Sequence, residues 1–201
     1  MKKFVLAAVA AAAAATFSGS VLAVDLTLPT PVPDVFANEL VTAGTTAVKT
    51  TTVTTQLGFG VSQGQTRFIR YDFTNSKIGA GGIVVANLAV AGADITVSSG
   101  GAAGGNVVIF QITATAAAGI AQDALVTLTL ANGLVPNALA PIDATYRLFE
   151  TAGAAVAGTG QLAGDSGTII TFASGVSLTA TQNKNTADVT ASPPYTKFVG
   201  N

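Results

Sequence analysis

Ser166 sits beside Asp165 in the stretch Gly164-Asp165-Ser166-Gly167, and it is the first residue to weigh for chemistry. A serine hydroxyl becomes a nucleophile only when a base takes its proton. The chain has no His. Lys serves as that base in some hydrolases, but Lys49, Lys77, Lys184 and Lys197 fall in turn-like or terminal contexts with no supporting motif. Cys is also absent, which excludes thiol catalysis and removes the usual ligands of zinc, copper and haem. Calcium needs only oxygen, so it is the metal these residues allow, with Asp123 and Asp143 as the candidates. The acids beyond the N-terminal segment are Asp25, Asp34, Glu39, Asp72, Asp94, Asp123, Asp143, Glu150, Asp165 and Asp188; no two lie within four residues of each other. A glycosidase needs two carboxyl groups facing one cleft, and this spacing singles out no pair. The expectation is a protein that is not an enzyme, with a secreted hydrolase using paired carboxylates as the remotest alternative.

The tetrapeptide at 164–167 resembles the nucleophile motif of chymotrypsin-like serine proteases, with Ser166 in the nucleophile's place, but the resemblance ends there. Thr168 follows where that family has another Gly. The stretch is expected to be a loop before the strand "TIITF". Lys77, at a strand end in "TNSKIG", would suit an intramolecular Lys–Asn isopeptide bond if it were buried.

The other chemistry-bearing cluster is "RFIRYDF", residues 67–73, with three charges in seven positions. At period two, Ile69, Tyr71 and Phe73 share one face, while Phe68, Arg70 and Asp72 share the other. "ATYRLFE" is the matching strand, carrying Tyr146, Arg147, Phe149 and Glu150. As neighbours, the two would place Arg147 across from Asp72, and Glu150 near Arg67 or Arg70. Such pairs are worth roughly 0.2–1 kcal/mol each and help to fix register. Arg67, Arg70, Asp72, Arg147 and Glu150 therefore read as a structural charge ladder first and a recognition site second. Phe68 and Tyr195 are the candidate ligand-facing aromatics, with Phe110 and Phe198 also to be checked.

The elements that position these residues follow an export leader. Lys2 and Lys3 precede an apolar run from Phe4 to Thr16, and Val21 and Ala23 occupy the small-residue positions of a cleavage site, the layout of a secretory signal peptide over 1–23. Cleavage leaves 178 of 201 residues, long enough for one domain with a substantial core. It removes 2 of the 9 basic residues and none of the 10 acidic ones, taking the net charge from −1 to −3. No basic stripe exists, so nucleic acid is not an expected partner. No later segment is long enough for a membrane helix; the longest, Ile83–Ala93, is interrupted by Asn87 and Gly92.

Residues 24–37, with Pro29, Pro31 and Pro33, read as an extended arm or linker. Residues 38–191 read as the domain, and 192–201 as a C-terminal linker or the start of a further element. Within the domain, Val53/Thr55/Leu57/Phe59, Ile95/Val97, Val126/Leu128/Leu130 and Val176/Leu178 alternate with Thr, Ser, Gln and Asp. Each is a strand with one buried face. "GIVVANLAV" and "NVVIFQIT" are apolar on both faces and read as central strands. Only a short helix near 116–124 is allowed for, and the Ala run at 152–157 is broken by Gly153 and Gly158. Gly- and Asn-rich turns between some nine to eleven strands predict an all-β, antiparallel β-sandwich of Ig-like, cohesin-like or jelly-roll-like form.

An export leader, no Cys, and Thr/Ala/Gly-rich strands together resemble bacterial surface-layer, filament and adhesin subunits. That resemblance implies a secreted or cell-surface structural protein, with the periplasm as an alternative location. Its partners would be further copies of itself or cell-surface components. The alternative from another class is a carbohydrate-binding module that takes a glycan on exposed aromatics.

Overall fold

The computed structural model describes residues 22–23, 34–48 and 52–173. These form strands β1 (Leu22–Ala23), β2 (Asp34–Ala37), β3 (Thr52–Gln56), β4 (Thr66–Phe73), β5 (Ser76–Ile78), β6 (Leu88–Val90), β7 (Ala93–Gly100), β8 (Val107–Ala114), β9 (Leu125–Thr129), β10 (Leu134–Pro136), β11 (Ile142–Phe149) and β12 (Ala163–Ala173). One short helix, α1 (Ala152–Ala157), precedes the last strand. The fold is all-β. The large sheet runs β1-β12-β11-β4-β8-β7, with β2 also on β12; β3-β9-β6 and β10-β5 form two smaller sheets. The arrangement is thus three sheets instead of two, and twelve strands among the described residues. It is mixed, because β1 and β2 join β12 in parallel.

Period two sets the core. On β4, Ile69, Tyr71 and Phe73 are fully buried, as are Val108, Phe110 and Ile112 on β8 and Ala144, Tyr146 and Leu148 on β11. They form one cluster with Val53 of β3, Val126 and Leu128 of β9, Leu88 and Val90 of β6, Ile78 of β5 and Leu134 of β10. Burying one such side chain is worth ~1.5–3 kcal/mol, so the smaller sheets are held to the large one by its inner face. Tyr71 and Tyr146 meet edge to face at 5.5 Å between ring centres. Tyr146 Oη donates to Leu57 O at 2.9 Å.

Three local readings change. "GIVVANLAV" is not a central strand. Gly81 and Gly82 take φ of 95° and 69°, and Asn87 Oδ1 accepts from Val84 N at 2.8 Å, so the chain closes a 3-10 turn at Val85–Asn87 before the short edge strand β6. The helix lies at 152–157 instead of 116–124. Thr151 Oγ1 accepts from Ala154 N at 3.2 Å at its start, and Gly158 ends it at φ 72°, the usual capping chemistry. Residues 164–167 are not a loop; they lie within β12, opposite Thr145 to Arg147 and Ala144 of β11. Part of the extended arm, Asp34–Ala37, is an edge strand on β12. The expected strand at 176–181, most of the leader and the 192–201 segment lie outside the described residues.

Candidate functional site

The charged strand is positioned by its neighbours. β4 pairs antiparallel with β11, setting Arg70 opposite Arg147 and Asp72 opposite Thr145. All four lie on the outer face, where two guanidinium groups would repel each other without an acid between them. Asp72 supplies it. Its Oδ1 accepts from Arg70 Nη2 at 2.6 Å, its Oδ2 from Arg147 Nη2 at 2.8 Å, and both oxygens accept from Arg70 Nε. Arg147 reaches Asp72 diagonally, because the residue directly across from it is Arg70.

The remaining donors point at α1. Arg70 Nη1 donates to Ala155 O and Val156 O, both at 2.8 Å, and Arg147 Nη1 to Gly158 O at 3.3 Å. The last carbonyls of a helix have no partners within it and carry partial negative charge. The cluster is therefore a C-terminal cap that pins α1 to the outer face of the sheet. Beneath α1, Phe68, Ile109, Phe149 and Ala155 form a second, smaller core. Phe68 is 9% exposed and is not a ligand-facing ring, because α1 covers it. Phe110 is buried in the main core. Tyr195 and Phe198 lie outside the described residues.

Arg67 does not join the ladder. It has the parity of Ile69 and lies at the end of the inner face, with Nη1 donating to Thr66 O at 2.8 Å and its guanidinium carbon 6.0 Å from the centre of the Phe59 ring. Glu150 is exposed beyond the end of β11 and pairs with neither Arg67 nor Arg70. Lys77 is exposed too, so the burial an isopeptide bond requires is missing. Asp123 is exposed in the turn before β9. Asp143 Oδ1 accepts from Thr168 Oγ1 at 2.6 Å, a cross-strand bond at the bulge of β11. Among the described residues no three acids gather as a metal site. Ser166 is exposed on β12, where its N–H donates to Asp165 Oδ1.

A feature the sequence reading missed lies at the other side of the large sheet. The segment 81–85 runs beside the β7–β8 turn, where Ile83 N donates to Gly101 O at 2.7 Å. Between them is an open groove of about 600 Å3, lined by Gly82, Ile83, Val84, Val85, Val97 and Gly101 among others, none of them titratable. Val84 and Val85 are 51% and 41% exposed. Gly82 and Gly101 let the two segments approach closely: a Cβ on Gly82 would come within 2.7 Å of Gly101 O, and one on Gly101 within 2.7 Å of Ile83 O. The signal was present in the two glycine clusters and in the apolar run between them.

No family model matches this chain, and neither the curated proteins nor the solved structures yield a similar one.

Proposed function

We propose that this chain is a non-enzymatic structural protein of the cell exterior, exported by its leader, which works by contact as part of a surface layer, fibre or adhesin. Its scaffold on this reading is a two-layer β-sandwich, with the large sheet as one layer and the two smaller sheets as the other. The observation that carries the reading is β7. Among the described residues it is the terminal strand of the large sheet, eight residues long, with Asp94 as its single charge and neither Lys nor Pro. Proteins that must stay apart guard such edges with charge, Pro or distortion; over its eight residues β7 has one exposed charge, Asp94, and the register shift between Val97 and Ser99. The charges elsewhere support the same reading, since Arg70, Asp72 and Arg147 are committed to holding α1.

Sedimentation velocity of leader-free protein over a wide concentration range tests this, together with immunogold labelling of intact cells. Concentration-dependent growth and label on the surface are expected. A strict monomer at the highest attainable concentration refutes the proposal. A carbohydrate-binding module is the second reading, favoured by the 39% exposed ring of Phe59 beside Arg67. Glycan binding abolished by Phe59→Ala in a monomeric protein would select it.

A further inference from the structure

Burial across the large sheet stops one strand short. Apart from Arg67 at the end of β4, inner-face residues of β4, β8 and β11 are essentially inaccessible, whereas Ile95 and Val97 of β7 are only partly covered although they pack on the same core. The outer edge of β7 has no strand partner among the described residues, and the apolar groove opens beside it. An unpaired edge next to an apolar groove is the geometry that accepts an added strand, with backbone groups giving affinity and alternate side chains filling the groove.

The arm left at the N-terminus by cleavage has the matching form. In an extended strand, alternate residues turn their side chains to opposite faces and their backbone groups to opposite edges. Val24, Leu26, Leu28, Thr30 and Val32 would share one face, and it is uncharged like the groove. Pro29, Pro31 and Pro33 share the other parity, so all three missing N–H groups fall on a single edge. Leu26 to Val32 can pair on one side only, and the added strand then offers the outside a blocked edge.

Length decides whose arm it is. The arm enters the fold at Asp34, on β2, five strand spacings from β7, or ~24 Å along the sheet. Its ten residues span at most ~33–36 Å, so an arm that ran along the sheet to its own β7 would have only about three or four residues left to pair. We infer that the groove beside β7 takes the arm Val24–Pro33 of a second copy as an added strand. Donor and acceptor then lie on opposite edges of each molecule, a heterologous contact that propagates as an open chain. This rests on the assembly reading above and supplies its partner and site.

The absence of Cys makes the test direct. Mature protein carrying Leu26→Cys, Leu28→Cys or Val32→Cys is mixed with mature protein carrying Val97→Cys and oxidised. A disulfide-linked heterodimer in the mixture, and none from Val97→Cys alone, is expected. Separately, protein lacking 24–33 and protein carrying Val84→Asp with Val85→Asp, both shown folded by circular dichroism, should each be monomeric and should form a 1:1 dimer when mixed. If wild-type protein stays monomeric, the assembly reading falls and this inference with it. If wild-type protein assembles and the arm deletion still assembles, or no cross-link forms, this inference alone is overturned. Loss of assembly on removing 174–201 and not 24–33 also overturns it, by making the C-terminal segment the occupant.

Discussion

Replacing Asp72 by Asn separates a charge cluster that builds the fold from one that binds something. The substitution keeps the shape and removes the anion between Arg70 and Arg147. It weakens the contacts to Arg70 Nη2 at 2.6 Å, Arg70 Nε and Arg147 Nη2 at 2.8 Å. Removing one partner of a fully buried ion pair costs ~3–5 kcal/mol. These side chains are 16%, 17% and 25% exposed for Arg70, Asp72 and Arg147, so water recovers part of that and ~2–3 kcal/mol is expected. The loss should be local at first. With both arginines displaced, α1 loses the caps on Ala155 O, Val156 O and Gly158 O. The amides of Gly158 and Thr159, both bonded to Ala154 O, should then exchange faster. Urea denaturation gives the stability change if the m-value is unaltered, and hydrogen exchange gives its location. Glu150→Gln, at an exposed residue with no ion pair among the described residues, should change stability by less than ~0.5 kcal/mol. The reasoning fails if Asp72→Asn is equally silent and α1 exchanges as before. A stable Asp72→Asn protein that had lost attachment to cells would make the cluster a recognition site.

The two core tyrosines should respond with opposite signs to the same substitution. Tyr71 Oη is buried with no hydrogen-bond partner among the described residues, so Tyr71→Phe should leave stability unchanged or raise it by ~1 kcal/mol. Tyr146→Phe orphans the buried carbonyl of Leu57 and should cost ~1–3 kcal/mol; equal losses in urea would contradict this assignment. Burial pushes both phenols well above their ordinary value, with Tyr71 adding to the shift at Tyr146. Unfolded phenols lose their protons near pH 10 while the folded ones keep theirs. Stability should therefore be insensitive to these groups below ~pH 9 and fall above pH 10 by up to ~1.4 kcal/mol per pH unit for each tyrosine. Tyrosinate absorbance in a Tyr195→Phe background should rise only with unfolding.

Most strand faces could be read from alternation because burial on one side is a local constraint that repeats every second residue. Val126 and Leu128 against Thr127 and Thr129, or Tyr71 and Phe73 against Asp72, needed no knowledge of partners. What failed depended on partners. Phe68 looked like an outward ring because nothing in "RFIRYDF" announces that α1 will lie over it. The glycines at 153 and 158 argue against a helix from sequence alone, yet Gly158 is its terminator and Thr151 its cap. Val84 and Val85 looked like a central strand because apolar residues on both sides usually mean cover on both sides; here they are held at the surface by the turn that Asn87 closes. The glycine-rich stretch at 164–167 has weak strand propensity of its own and is extended because β11 offers it a ladder.

The low charge of the chain and the proline arm become two parts of one argument when the edges of the large sheet are compared. At the β12 side the edge is partly covered: Leu22 and Ala23 pair with Ala163 and Gly164, and Asp34–Ala37 with Ile170–Ala173. Cleavage after Ala23, as proposed for export, would remove the first of these pairings. At the β7 side no strand among the described residues pairs with the edge, and β7 carries neither Lys nor Pro, with Asp94 as its single charge. A lone domain would lower its aggregation risk by placing Lys or Pro on β7 itself. This chain has its prolines at 29, 31 and 33, where they cannot guard β7 of the same molecule. On the inference above they guard it on the next one, and each junction would be completed and closed by the same ten residues. The dependence is testable without destabilising the fold. Replacing Pro29, Pro31 and Pro33 by Thr restores the three missing donors, leaves the paired edge of the arm unchanged, and should turn linear chains into laterally associated bundles. Electron micrographs that show the same single chains with and without the prolines would refute that role.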